Sequence, residues 1–308
     1  MWVVVNVEVW DFRSPLPRTL LPYPQGAPVV PDVANYGWFD YGLRVGIWRL
    51  KDVLDGQGIR ATMSLNGVLC EAYPQVVAEC VASDWELMGH NYIQQVMSKE
   101  PDERAAIRKT KQLLEETSGK PMRGWIGPGL SETDATLDLL VEAGVEYVAD
   151  WVNDDLPYRL KTTSGVLHAL PYSLEINDIV LHLVQQRPSP ELFERTRDQF
   201  DTLYEESAKG ARVMCVAVHP YVSGVGHRIK YFRQIFDYMR DGEELVLEPF
   251  QRLIEQDQLL AYKHEGFWRS MDTLKDRQIL EDMVEQGQMP WRVSVEPRKK
   301  AALAAVAG

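Results

Sequence analysis

The sequence predicts an α/β protein built on a largely parallel sheet. Seven short segments rich in apolar and β-branched residues are typical of strands, and helical patterns lie between them. Strands that alternate with helices form βα units, which bring the strands together as parallel neighbours. The predicted strands are 2–9, 61–65, 85–88, 123–126, 146–149, 166–170 and 212–218.

Start and stop signals support the predicted helices. Pro101-Asp-Glu-Arg and Ser131-Glu-Thr-Asp are typical helix starts, and a glycine follows four of the five helical segments. The count of seven strands is one fewer than in a regular eight-stranded barrel, but residues at the carboxyl ends of the strands should still build the site. The predicted helices are 41–57, 73–83, 101–118, 131–143 and 189–209.

Composition indicates a globular chain that acts on a small molecule. The 308 residues are 45% hydrophobic and 25% charged, and no apolar run approaches the roughly 20 residues of a membrane span. The opening MWVVVNVEVW contains Glu8 and lacks a basic leader, so it predicts a first strand rather than a signal peptide, and we expect a cytoplasmic protein. A net charge of −12 disfavours nucleic acid and anionic membranes as partners. Cys70, Cys80 and Cys215 have no metal-site spacing and are expected to be reduced thiols.

Polar and titratable residues follow the predicted strands and should meet at one edge of the sheet. Each residue alone is a weak signal, whereas their convergence indicates a site. The residues that follow the strands are Glu8, Asn66, His90, Gly127-Pro128-Gly129, Asp150-Trp151 with Asn153, Asp154 and Asp155, Glu175-Ile176-Asn177-Asp178, and His219-Pro220.

Three of these residues suggest acid–base chemistry. Glu8 near the end of an apolar strand is either a general base or metal ligand, or an ordinary outward residue. His219, held by the proline that follows it, would be placed as a general acid, and the alternative is a core histidine. His90 after Gly89 marks either the edge of a site or a capping residue.

The loops that follow the fourth and fifth strands are candidates for substrate binding. Gly127, Pro128 and Gly129 would let a ligand approach the backbone closely, or form a plain turn. Asp150 is a candidate for orienting a histidine, and Trp151, Asn153 and Asp154 for contacting substrate. Asn-Asp-Asp before Leu-Pro is equally good turn chemistry.

Several segments of residues 1–240 together carry a family resemblance. They are NVEVWDF, PDVANYGWFDYGLRVGIWRLKDVLDGQGIRAT, WELMGHNYIQQ, GWIGPGLSET, YVADWVNDDLPY, EIND and VHPYVSGVGHRI. Through these segments the chain resembles the polysaccharide deacetylase (NodB homology) superfamily, and within it the branch of metal-independent allantoinases and cyclic imide hydrolases. The resemblance implies a distorted seven-stranded (β/α) barrel that hydrolyses a C–N amide bond in an N-acyl sugar or a small cyclic amide or imide.

The same resemblance assigns roles to individual positions. Glu8 matches the acidic motif, His90 the first metal-binding histidine and His219 the late catalytic acid, while Asn177 and Tyr221 fall in segments that would contact substrate. Gln94 replaces the second metal-binding histidine. A divalent metal such as zinc would have Glu8, His90 and Gln94 as its ligands, and this set is incomplete because an amide oxygen is a poor zinc ligand.

The chain beyond residue 240 is expected to be separate from the barrel. Residues 241–296 resemble the C-terminal segment of glucose-1-phosphate cytidylyltransferases, through HEGFW and MDTLKDR, and predict a small strand-helix appendage; residues 297–308 predict a disordered tail. The apolar face of the appendage is expected to pack on the barrel or on a second copy of the chain, which would make a homo-oligomer. The alternative to an enzyme is a degenerate barrel that serves as a binding or assembly module.

Overall fold

One eight-stranded sheet organises the first part of the chain. The computed structural model describes residues 1–23, 26–241, 280–284 and 286. The chain divides into two compact units, Met1–Gly242 and Glu243–Gly308. In the second unit a short helix at residues 280–284 is described. The strand-helix appendage, the disordered tail and the homo-oligomer otherwise fall outside the described residues and stay predictions.

The strands follow the order β6-β7-β5-β4-β3-β2-β1-β8. All neighbours are parallel except β6 and β7, which are antiparallel. β6 and β8 lie at the two ends of this order. A single parallel bridge between Asn177 and Ala217 extends the pairing beyond β8. The strands are β1 Trp2–Val7, β2 Thr62–Leu65, β3 Glu86–Gly89, β4 Gly124–Trp125, β5 Tyr147–Val148, β6 Tyr158–Lys161, β7 Val166–Ala169 and β8 Cys215–Val218.

The prediction of a seven-stranded barrel is wrong in its count. Each predicted strand overlaps one of the seven parallel strands, but Tyr158–Lys161 forms an eighth, antiparallel strand against β7. Its sequence YRLK carries two charges and follows a turn-like Asp-Asp-Leu-Pro, so it lacks the apolar pattern of the buried strands. The architecture is a curled α/β sheet of the (β/α) barrel kind.

Helices connect the parallel strands, and their ends follow ordinary capping rules. Asp102 caps α5 by accepting a hydrogen bond from the Ala105 amide at 2.9 Å, and Gly119 ends that helix in the left-handed conformation. The expected start at Ser131 is wrong, because its hydroxyl bonds to the Pro128 carbonyl and α6 begins at Thr136. The helices are α1 Val33–Tyr41, α2 Ile47–Gly56, α3 Leu69–Ala72, α4 Pro74–Ala82, α5 Glu103–Ser118, α6 Thr136–Glu142, α7 Glu191–Glu206 and α8 Ile229–Asp241, with π-helical turns at Gly42–Gly46 and Ile179–Val184 and a 3-10 turn at Met97–Lys99.

The two faces of β1 divide the core. Val3, Val5 and Val7 pack in the large apolar cluster that includes helix residues, while Val4 packs in a second cluster with Met88 and Ile126. Side chains alternate along a strand, so the even-numbered residues after Val4 share the face of this second cluster. The polar residues Asn6 and Glu8 of the first strand segment therefore belong to one inner face.

Two further observations concern the sequence expectations on membranes and cysteines. No helix among the described residues is long and apolar enough to cross a membrane. The three cysteines are unpaired, with Cys80 and Cys215 buried and Cys70 half-buried.

Candidate active site

Strand register brings the main polar residues of the site side by side. Val7 of β1 lies opposite Leu65 of β2, which lies opposite Gly89 of β3. The next residue of each strand segment is Glu8, Asn66 and His90, so these three form one row at the carboxyl edge of the sheet. His219 follows β8 on the other side of β1, where Val218 pairs with Val5.

A cavity of about 1030 Å³ opens over this edge. Its volume matches the pockets that hold small organic ligands. Its lining includes Asn6, Glu8, Arg18, His90, Gln94, Pro128, Gly129, Tyr172, Asn177 and His219.

Glu8 is the central carboxylate of the cavity. Its Oε1 lies 3.8 Å from Nε2 of His90 and 3.8 Å from Nε2 of His219. Gln94 Nε2 donates to Oε1 at 3.0 Å, and the Tyr221 hydroxyl donates to Oε2 at 3.2 Å. Burial acts to raise the pKa of Glu8, but the interactions with His90 and His219 and the charge of Arg18 outweigh it, so the pKa is lowered. Glu8 is therefore ionised at neutral pH.

Asp178 holds His219 in place. Its Oδ1 lies 2.7 Å from His219 Nδ1, and its Oδ2 accepts from the His219 backbone N–H and the Ser223 hydroxyl, each at 2.7 Å. Asp178 is fully buried. A buried carboxylate at this distance fixes the proton on Nδ1, and the ring then presents Nε2 to the cavity and to Glu8.

The sequence predicts that Asp150 is the carboxylate that orients a histidine, and the structure corrects this prediction. Asp150 accepts from the Gly127 amide at 2.8 Å and lies beside Glu132 instead of a histidine. Burial first, and then the neighbouring Glu132, raises the pKa of Asp150 well above its usual range. The Asp150 side chain thus supports the Gly127 loop, and Asp178 is the carboxylate that orients His219.

His90 is oriented by the backbone of the next strand segment. Its Nδ1 lies 2.7 Å from the Ile126 carbonyl oxygen, which can only accept, so Nδ1 carries the proton and Nε2 has its lone pair free. That Nε2 is buried and has no hydrogen-bond partner among the described residues. Gly89 is required before it, because a Cβ there would lie 2.6 Å from the Trp125 ring.

Gln94 does not fit the role of a metal ligand. Asn66 accepts from the Val9 amide and donates to the His90 carbonyl, and these backbone contacts fix which end of its side chain carries the NH2 group. That NH2 group also donates to Gln94 Oε1 at 2.9 Å. The Gln94 carbonyl is therefore occupied, and its own NH2 points at Glu8.

The expected ligand set therefore does not fit a metal ion. Glu8 and His90 retain oxygen and nitrogen lone pairs, while Gln94 presents hydrogen-bond donors, which repel a cation. Within residues 1–23 and 26–241, no group of three or more His, Cys, Asp and Glu side chains is arranged to hold a metal ion.

The remaining candidates for substrate contact divide into two groups. Pro128, Gly129 and Asn177 line the cavity, whereas Gly127, immediately before them, does not. Tyr221 is buried against Trp38 and Phe39, and it reaches the site through its hydrogen bond to Glu8 and an edge contact with the His219 ring. Tyr221 therefore helps to position the Glu8 carboxylate without lining the cavity itself.

Trp151, Asn153 and Asp154 lie outside the cavity lining. Trp151 is exposed and donates to Glu132, Asn153 accepts from the Tyr158 hydroxyl, and Asp154 accepts from the Leu156 amide. These are the contacts of a surface turn that leads into β6, so the turn interpretation of Asn-Asp-Asp describes the observed geometry.

The loop that carries His219 rests on glycines of the first helical segment. A Cβ on Gly46 would lie 2.0 Å from the Pro220 carbonyl oxygen, and one on Gly42 would lie 2.7 Å from the Tyr221 amide nitrogen. The helix backbone can therefore approach the loop closely only because both positions lack a side chain. This close contact helps to position the loop, and with it the His219 ring relative to Glu8.

Gly46→Ala is expected to destabilise the protein by about 1–3 kcal/mol, because the new methyl group forces the helix away from Pro220. Urea unfolding measures the loss. Gly56→Ala, at the end of α2, is the matched control, since a Cβ there meets nothing within 4 Å. Equal stability of the two variants would contradict the proposed close contact.

Comparison with known proteins agrees with this fold. The family model described as polysaccharide deacetylase matches residues 33–148, which include His90 and Gln94 but not Glu8, Asp178 or His219. A putative polysaccharide deacetylase of Schizosaccharomyces pombe is 25% identical over 224 residues, covering 67% of this chain and 70% of that protein.

Two solved structures share the architecture. A probable polysaccharide deacetylase from Pseudomonas aeruginosa PAO1 superposes with a TM-score of 0.68 at 23% identity, covering 78% of this chain and 84% of that one. Puue allantoinase superposes with a TM-score of 0.68 at 22% identity, covering 78% and 83%. At these identities the likeness concerns the fold alone.

The resemblance to cytidylyltransferases rests on a short match. Glucose-1-phosphate cytidylyltransferase of Salmonella typhimurium is 47% identical over 45 residues, which is 15% of this chain and 18% of that enzyme. A match over so small a share of that enzyme does not extend its activity to this chain. The similarity to polysaccharide deacetylases thus consists of the family-model match over residues 33–148 and a shared fold.

Proposed function

We propose that the protein is a hydrolase that cleaves a C–N amide bond, in the N-acyl group of a sugar or in a small cyclic amide or imide. The observation that carries this proposal is the position of one carboxylate oxygen, Glu8 Oε1, at 3.8 Å from Nε2 of both His90 and His219. A carboxylate and two imidazoles around one point of a cavity can hold a water molecule and move its protons.

In the proposed reaction, Glu8 and His90 activate the water. The oxygen of the water forms a bond to the carbonyl carbon of the substrate while one water proton passes to Glu8 and His90. The π electrons of the carbonyl group move onto the carbonyl oxygen. The electron pair then returns as the C–N bond breaks. His219, held by Asp178 and protonated on both ring nitrogens, gives the proton on Nε2 to the departing nitrogen, so that an acid and an amine (or one ring-opened product that carries both groups) are formed. The proton that Glu8 and His90 took from the water then passes to His219 Nε2 and restores the starting state.

The buried Asp178 supports the assignment of His219 as the acid. Because Nδ1 is committed to Asp178 at 2.7 Å, only Nε2 can exchange protons with a ligand in the cavity. Two of the predicted loop residues, Pro128 and Gly129, form part of the wall against which such a ligand would lie. In this arrangement Glu8, His90 and His219 would each face a different part of one substrate.

The test is turnover of a panel made of allantoin, succinimide and N,N′-diacetylchitobiose, measured before and after treatment with a chelator. We expect hydrolysis of at least one compound, with kcat/KM unchanged by chelation, because Gln94 presents its NH2 group where a metal ligand would be needed.

Two results would contradict this account. Chelator-sensitive turnover restored by zinc would show that Glu8 and His90 hold a metal despite Gln94. No turnover of any compound would favour the alternative of a degenerate barrel that binds without catalysis.

A further inference from the structure

The Tyr172 hydroxyl stands in the inner face of the cavity with both of its acceptor positions filled. Asn6 Nδ2 donates to it at 3.0 Å, and Asn177 Nδ2 donates to it at 3.1 Å. All three side chains are at least 96% buried and all three line the cavity. A tyrosine hydroxyl has two acceptor lone pairs and one proton, so only the proton is left to make a further hydrogen bond.

The orientation of the Asn177 amide is fixed by the backbone. Asn177 Oδ1 accepts from the Ile179 amide at 3.0 Å, which requires the NH2 group to be the end that faces Tyr172. Asn6 lies two residues before Glu8 on the same strand segment, so the two side chains point to the same face of the sheet. The hydroxyl is thereby held near the catalytic carboxylate by side chains from two separate parts of the fold.

The hydroxyl proton has no acceptor in the part of the chain that the structure describes. Burial raises the pKa of Tyr172 well above its ordinary value, so the group stays protonated. A phenol that accepts two hydrogen bonds is also a stronger donor, since chains of hydrogen bonds polarise one another. The Tyr172 hydroxyl is therefore a fixed hydrogen-bond donor, and an oxygen atom of a bound ligand would be its acceptor.

We propose that Tyr172 donates its hydroxyl hydrogen bond to the carbonyl oxygen of the substrate and stabilises the oxyanion of the tetrahedral intermediate. This inference rests on the proposed amide hydrolysis and names the group that receives the developing charge. When water attacks, the carbonyl electron pair moves to oxygen and strengthens the bond from Tyr172. When that pair returns and the C–N bond breaks, the proton remains on Tyr172 throughout.

Tyr172→Phe tests the proposal on whichever compound of the panel the unmodified protein hydrolyses. Loss of one oxyanion donor costs about 100- to 1000-fold in kcat, and KM should change little because the bond is strongest to the oxyanion. The ring stays in its apolar cluster with Val4, Met88 and Ile126. The two asparagine NH2 groups can then bond to water in the cavity.

Tyr238→Phe is the matched control. The Tyr238 hydroxyl donates to Asp201 at 2.9 Å on the helical side of the fold, away from the cavity lining. We expect this variant to keep the kcat of the unmodified protein. Activity of Tyr172→Phe within threefold of that value would overturn the proposal, and so would a loss confined to KM.

The outcomes also separate this inference from the proposed function. Full activity of Tyr172→Phe together with an inactive Glu8→Gln protein would remove the oxyanion role and leave the hydrolase intact. Absence of turnover in the unmodified protein would remove both.

A second variant keeps the test decisive if Tyr172→Phe loses its native circular dichroism spectrum. Incorporation of 3,5-difluorotyrosine at position 172 preserves the hydroxyl but lowers its pKa. Because the fluorinated hydroxyl still donates, kcat at neutral pH should stay within about threefold of the unmodified value. A fall of kcat to the level expected for Tyr172→Phe would overturn the proposal.

Discussion

Glu8→Gln is expected to lower kcat/KM by about 100- to 10,000-fold, the range for loss of a general acid–base group. The substitution removes the only ionised group that faces both histidine Nε2 atoms in the described part of the site. An amide cannot take the proton of the attacking water, and it no longer attracts the protonated form of His219.

The fold should survive this substitution. The new amide keeps the shape of the carboxylate, its oxygen can still accept from Gln94, and the Tyr221 hydroxyl can switch from donor to acceptor. Thermal unfolding by circular dichroism checks the fold. Glu146→Gln is the matched control, since Glu146 is exposed and its side chain pairs with Arg123 on the surface. Unchanged activity in a folded Glu8→Gln protein would remove Glu8 from the mechanism.

Asp178→Asn is expected to cost about 100- to 10,000-fold in kcat, although Asp178 itself is a positioning residue that does not line the cavity. Its Oδ2 must accept from the His219 amide and from Ser223, so the new NH2 group has to face His219 Nδ1. Nδ1 then becomes the acceptor, and neutral His219 carries its proton on Nε2. The ring also loses the negative charge that stabilises its protonated form.

Nitrogen NMR of the His219 ring gives a readout that a purely structural role would not move. We expect the proton of the neutral ring to shift from Nδ1 in the unmodified protein to Nε2 in Asp178→Asn. Asp138→Asn provides a matched control, because Asp138 is an exposed acceptor for the turn at Thr163 and Ser164. A variant with the original tautomer and full kcat would show that Asp178 does not govern His219.

The sequence was sufficient for the parallel strands because each of them is a short apolar run bounded by turn residues. β6 escaped prediction because an edge strand that pairs on one side only needs no apolar run, and YRLK looks like a loop. Glu8, His90 and His219 could be found because each is the first residue after a parallel strand, where topology alone determines that side chains converge.

Asp178 and Tyr172 could not be assigned roles in the same way. Asp178 lies well beyond the end of β7, where the segment around Asn177 joins the sheet beside β8 through one isolated bridge, and Tyr172 follows β7 only after Leu170 and Pro171. Asp150 was the better candidate along the chain, since it follows β5 closely, but four strands separate β5 from β8 in the sheet. The strand order, which the sequence does not reveal, decides which carboxylate reaches His219.

The most direct test of the central claim is a comparison of initial rates of amide hydrolysis by the unmodified and Glu8→Gln proteins on allantoin, succinimide and N,N′-diacetylchitobiose. The account predicts turnover of at least one compound by the unmodified protein and a loss of about 100-fold or more in the variant. Equal rates in two folded proteins would contradict it.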